Sequence, residues 1–142
     1  MSKLITIFLF AICSVAQAQD TYLCIPKSAT GYSYEKVTNN WEMSSFNVGN
    51  EKYLLKKKSN TWSWEKFGES NSFSSCKEMN SRITCSLVGD VIFDKKTLRY
   101  LRTYIAGYVD GVNNNNNTPL IEIGTCSPLQ YDIQNTPPLH HI

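Results

Sequence analysis

A chain of 142 residues with 42 % hydrophobic types has enough material for one domain with a core, and its formal charge of +2 is spread over 14 basic and 12 acidic residues. That balance lacks the basic excess of a nucleic-acid or anionic-membrane binding surface. The single basic run, Lys56-Lys57-Lys58, would alternate between the faces of a strand and reads as solvated, edge-protecting residues.

The first eighteen residues have the three parts of a secretory signal: Lys3, an apolar run of twelve from Leu4 to Val15, and Ala16-Gln17-Ala18 as the cleavage site. The run is short of the about 20 apolar residues that cross a bilayer, so no stable membrane anchor is expected. Bulky Ile12 before Cys13 argues against a lipid-anchored form. Cleavage after Ala18 leaves 124 residues beginning at Gln19 and carrying 13 basic against 12 acidic groups. The expected organisation is a signal peptide at 1–18, one β domain at 19–136 and a flexible tail at 137–142.

From Thr21 onward, turn signals recur every eight to twelve residues between aromatic and β-branched segments, the pattern of antiparallel sheet. Thr21 to Ile25 is the first predicted strand. Tyr32 to Lys36 and Trp41 to Phe46 form a hairpin around Thr38-Asn39-Asn40. Lys52 to Lys58 and Thr61 to Phe67 follow, then a serine-rich loop from Gly68 to Ser75. Arg82 to Val88, Val91 to Phe93, Leu98 to Val109 and Leu120 to Thr125 complete the set. About eight strands in a meander predict an all-β fold, either a small closed barrel or a sandwich. Trp62 and Trp64 share one face, with Thr61, Ser63 and Glu65 on the other. In the long segment Leu101, Ile105 and Val109 lie opposite Tyr100, Tyr104 and Tyr108. If the aliphatic set fills the core, those three tyrosines are a candidate ligand-binding stripe. Asp110-Gly111 then opens a loop with five asparagines, Asn113 to Asn117, a polar tract that should stay exposed.

Loss of Cys13 leaves Cys24, Cys76, Cys85 and Cys126, an even set that predicts a disulfide framework in an exported domain. Of the three pairings open to four cysteines, Cys24–Cys126 and Cys76–Cys85 are expected: the first joins the first and last strands, the second closes a short polar excursion. No C-x-x-C occurs, and His140 and His141 fall behind Pro137-Pro138, so neither a metal nor a cofactor is indicated. The same tail position of both histidines disfavours a Ser-His-acid triad. The loop after Asp110 departs from the EF-hand pattern. Glu65, Glu69, Asp90 and Asp94 leave room for carboxylate chemistry, but an enzyme ranks below a binding protein.

Five segments are similar to a group of short exported bacterial proteins of uncharacterised function: Ala29 to Tyr34, Phe67-Gly68-Glu69, Phe93 to Tyr100, Gly107 to Gly111 and, most distinctively, Thr118 to Cys126. That resemblance implies an exported bacterial setting and carries no catalytic residues. The opening Tyr22-Leu23-Cys24, together with the disulfides, is also similar to the small β-barrel lysozyme inhibitors of bacterial envelopes, although the Ser- and Gly-containing inhibitory loops of that family do not align here. The resulting expectation is a periplasmic or secreted domain that binds a small molecule or a protein through a barrel mouth, the tyrosine stripe or the asparagine loop. The rival expectations are an inhibitor of a host or competitor enzyme and a carboxylate-based hydrolase.

Overall fold

A computed structural model describes residues 20–69, 72–86 and 90–129, with the backbone alone for 72–74. Residues 1–18, expected to be a signal peptide, and the tail bearing His140 and His141 lie outside the described residues, as does Cys13. Among the described residues nine strands run in chain order: β1 (Thr21–Glu35), β2 (Asn40–Phe46), β3 (Tyr53–Lys58), β4 (Thr61–Lys66), β5 (Ser72–Met79), β6 (Arg82–Ser86), β7 (Asp90–Asp94), β8 (Arg99–Tyr104) and β9 (Leu120–Pro128). All pairings are antiparallel. β1 pairs with β9 and thereby closes eight strands, β1 and β3 to β9, into a barrel. The fold is therefore the all-β meander expected from the sequence, resolved in favour of the barrel. β2 is additional. It occupies the same edge of β1 as β3, but farther along, pairing with residues 29–35 while β3 pairs with residues 21–24.

The structure changes three strand expectations. The first strand does not stop at Ile25 but runs through Pro26 to Glu35, because a bulge between Pro26 and Ser28 absorbs one residue against β9. That bulge lets the ladder pass a residue that has no N–H to donate. The second difference is that residues 72–75, read as loop, and 76–79, read as a polar excursion, together form β5, which pairs with β4 and β6. Here the ladder overrides the low strand preference of serine. Thirdly, the long strand at Leu98–Val109 is β8 alone: Leu98 sits in a turn at φ 55°, and Ala106–Val109 form a single helical turn, α1.

Both disulfides join residues directly opposite each other, Cys24 with Cys126 across β1 and β9, and Cys76 with Cys85 across β5 and β6. The expected pairing is thus the one found. All four cysteines point inward, among Tyr53, Leu55, Trp62, Trp64, Ile83, Val91, Phe93 and Tyr100. Eight strands enclose a space just wide enough for side chains to fill. It is filled here by rings in contact: Tyr53 stacks on Trp64 at 4.9 Å, Trp64 meets Tyr100 at 5.2 Å, and Tyr22 meets Phe93 at 5.0 Å. Gly124 makes room for this packing, because a Cβ there would lie 2.4 Å from both the Tyr100 ring and the Ile25 carbonyl oxygen. Core truncations such as Trp62→Ala typically cost about 3–5 kcal/mol.

Polar groups finish the barrel at each end. At one end the Trp62 indole N–H donates to Glu78 Oε2 at 2.8 Å, and Lys95 donates to the same carboxylate. Lys57 pairs with Glu78 and lies over the Trp62 ring, whereas Lys56 points outward to Glu65 at 2.7 Å. The lysine run therefore alternates between faces as expected. The Lys95 hydrogen bond, followed by that of the Trp62 indole, holds the Glu78 carboxyl below its usual range. A carboxylate depressed in the folded state stabilises above its unfolded pKa, and that contribution is lost as pH falls through the folded one.

Acid unfolding followed by Trp fluorescence should accordingly show a stability loss beginning below about pH 4.5 that is smaller in Glu78→Gln. The cross-links give a second expectation. The separations are 102 residues for Cys24–Cys126 and 9 for Cys76–Cys85, for which loop entropy gives roughly 5 and 2–3 kcal/mol. Replacing Cys24 and Cys126 by Ser should lower the melting temperature by about 10 °C more than replacing Cys76 and Cys85, measured by calorimetry.

Candidate functional site

Because Cys126 points inward, alternation directs Gly124 and Glu122 inward as well and turns Thr125, Ile123 and Ile121 out. The same parity turns Leu101 out on β8 and Ile92 out on β7. These residues lie in register, Ile92 opposite Leu101 and Leu101 opposite Ile123, forming an aliphatic row across three strands of the outer wall. Leu101 is 39 % exposed and Ile123 49 %. Ile121 continues the surface beside Thr30 of β1. Next to it a cleft of about 550 Å³ opens where β2 and β3 part from β1, lined by Pro26, Ala29, Phe46, Val48, Ile121 and Ile123 among others.

Past the barrel, the β1–β2 hairpin extends this outward face. Tyr32 pairs with Met43 and Tyr34 with Trp41. These four residues lie on the side of Thr30, and Met43 is 84 % exposed. The chain between β8 and β9 is fastened along the hairpin. Tyr32 N–H donates to the Pro119 carbonyl at 3.0 Å. One turn of chain further, Asn115 uses its side chain in place of a strand: its Oδ1 accepts the Tyr34 N–H at 2.6 Å and its Nδ2 donates to the Tyr34 carbonyl at 3.0 Å. The Trp41 indole N–H donates to Asn113 Oδ1, and its ring stands edge-on to Tyr34 at 5.6 Å and to Tyr108 at 5.8 Å. Gly107 allows α1 to lie against the Asn117 carbonyl, where any Cβ would collide.

The three tyrosines expected as a stripe do not share a surface. Tyr100 is buried in the barrel, Tyr104 ends β8 opposite Leu120, and Tyr108 stands on α1 against Trp41. The aliphatic set expected to fill the core, Leu101, Ile105 and Val109, is exposed instead. Intrinsic hydrophobicity favours aliphatics inside, but here the aromatic parity is tied to the cysteines and prevails. The asparagine loop is largely exposed, as expected, although the side-chain oxygens of Asn113, Asn114 and Asn115 already accept hydrogen bonds that shape the loop.

Inside the barrel, beneath this hairpin end, Glu122 is buried and accepts from Tyr100 Oη at 2.9 Å and Arg102 Nη2 at 3.0 Å. Arg102 also lies 5.0 Å from the centre of the Tyr53 ring. Burial raises the Tyr53 and Tyr100 hydroxyls well above their ordinary range, so both remain protonated donors. The carboxylates singled out in the sequence are engaged on separate surfaces: Glu65 with Lys56, Glu69 with Lys66, Asp90 with Ser86, and Asp94 with Ser81 and Arg82. Among the described residues no three His, Cys, Asp or Glu side chains converge on a metal position, and no helix is long and apolar enough to cross a membrane.

Comparison with known proteins finds no matching family model, no matching curated protein and no matching solved structure. The site therefore rests on its own geometry. If Asn115 substitutes for a strand, Asn115→Leu should speed hydrogen exchange of the Tyr34 amide by about tenfold or more, as expected for losing roughly 1–2 kcal/mol of local hydrogen bonding. Amides of β3 to β7 should exchange unchanged in the same NMR experiment.

Proposed function

We propose that the chain is an exported, disulfide-stabilised binding protein, periplasmic or secreted after cleavage at Ala18, that docks a protein partner on its outer apolar face. One observation carries this reading: exposed large apolar side chains stand in one row, Ile92, Leu101 and Ile123, and continue through Ile121 toward Tyr32 and Met43 beyond Thr30 and Ser45, beside an open cleft lined by Ile121 and Ile123. Contiguous exposed apolar surface of this kind marks interaction sites more often than isolated exposed residues do. A protein fits better than a small molecule, because small-molecule sites enclose most of their ligand. By contrast, this wall is broad and open, and the described barrel axis is occupied by Trp62, Trp64, Tyr53 and Tyr100. The two disulfides fit an oxidising compartment.

A second reading, an inhibitor of a secreted or envelope enzyme, is favoured by the fastened loop beside this face, since rigid protruding segments bind with little ordering cost. The similarity of Tyr22-Leu23-Cys24 to the lysozyme inhibitors makes a lysozyme the first enzyme to assay. The deciding comparison is between wild type, Ile123→Lys and Trp41→Ala in affinity capture from the native envelope, with copurifying species identified by mass spectrometry. Wild type should retain one protein that Ile123→Lys loses, although exposed Ile123 can change with little effect on melting temperature. Capture that is identical in wild type and both variants, or copurification of a small molecule alone, would overturn the docking reading. Slowed cell-wall hydrolysis by added wild-type protein, lost in Trp41→Ala, would identify the partner as an enzyme target.

A further inference from the structure

Among the described residues β2 is the one strand outside the barrel, and its pairing leaves an edge open. Tyr32 and Tyr34 direct their backbone groups to Pro119 and Asn115. Alternation therefore turns the backbone groups of Gly31, Ser33 and Glu35 toward β2, where they face Ser44, Glu42 and Asn40. It follows that the N–H and C=O groups of Trp41, Met43 and Ser45 point away from β1. Among the described residues no backbone or side-chain group pairs with them. Natural edge strands are commonly blunted by lysine, proline or a bulge. The segment Asn40–Phe46 has none of these, and its only charged side chain, Glu42, is engaged by the Thr38 hydroxyl at 3.0 Å.

We infer that this edge pairs with β2 of a second copy of the chain, antiparallel about a two-fold axis at Met43. In that register Met43 faces its own counterpart and Trp41 faces the partner copy's Ser45, so all three outward-turned residues on each strand are hydrogen-bonded. Glu42 faces a neutral serine. A register centred one residue earlier would set Glu42 against Glu42, and like charges directly opposite destabilise a pair. Centring one residue later would carry the residue opposite Trp41 beyond the end of β2. Charge and hydrogen bonding thus select one arrangement, which makes a four-stranded sheet with Trp41, Met43 and Tyr32 of both copies on one face. Met43, 84 % exposed in the single chain, becomes the centre of that face. The inference is independent of the partner proposed above, because it rests on the main chain of β2.

Sedimentation equilibrium of the exported chain, up to about 1 mM, tests it over the span of weak association. Wild type should dimerise. Met43→Pro removes an N–H that the β1–β2 ladder does not use, and proline is tolerated at such edge positions. Met43→Lys places two like charges across the axis. Each should weaken dimerisation at least about tenfold while the melting temperature of the monomer stays within a few degrees. Met43→Cys should oxidise to a covalent dimer, whereas Val37→Cys in the adjoining turn should not. A monomeric wild type over the whole concentration range, or dimerisation unaffected by Met43→Lys, would overturn the inference.

Discussion

The bond between Cys24 and Cys126 does more than tie the first strand to the last. Because the two residues are opposed in the β1–β9 ladder, it fixes which register closes the barrel. Period two then sets the direction of the side chains along β9 and, as far as the bulge after Pro26, along β1. On β9 it commits Glu122 and Gly124 to the interior and Ile121 and Ile123 to the outside. The adjacent β8 follows, with Tyr100 inside against Gly124 and Leu101 outside beside Ile123. A register shifted by one residue would bury the isoleucines and expose the carboxylate. That alternative is the more hydrophobic one, and the cross-link excludes it.

Burying a carboxylate has a cost that must be met locally. The Tyr100 hydroxyl and the Arg102 guanidinium both reach Glu122, so its charge is paired and hydrogen-bonded rather than merely enclosed. Breaking such a pair by removing one partner typically destabilises by about 3–5 kcal/mol, even where an apolar replacement of the whole group would be tolerated. The arrangement contributes a specific geometry. Arg102 is held beneath Tyr53, and Tyr53 is stacked on Trp64. The hairpin end of the barrel is therefore packed and hydrogen-bonded on its inner side, behind the exposed outer surface.

Much of this fold was legible in the residues. The alternation of Trp62 and Trp64 marked β4, and placing Cys24 and Cys126 on the first and last strands picked out, of three possible pairings, the one that the structure contains. What escaped has identifiable causes. Residues 72–75 are mostly serine, and only their partner strand makes them sheet. Leu98 adopts a left-handed backbone that a leucine rarely takes, and nothing local announces it. The candidate site was misread at Tyr100 and Leu101 because hydrophobicity alone favours the leucine for the core. The cue that corrects this was present in the sequence: Glu122 and Gly124 share the parity of Cys126, and a cysteine committed to a disulfide in the core orients its whole strand. Only the β8–β9 register, which the sequence does not print, carries that orientation across to Leu101.

The double attachment of β1 also bears on how the molecule comes into being. β1 is made first and β9 last, and their contact spans about a hundred residues of chain. Contacts of such long range are entropically costly to form and slow folding relative to local hairpins. The hairpins from β3 to β8 need only their neighbours, and β2 can join β1 as soon as both exist. Closure must wait for β9. Until β9 arrives, the β1 edge that it closes stays vacant. The barrel's vulnerable interval for proteolysis and misassembly is therefore set by the arrival of the final strand rather than by any of the turns.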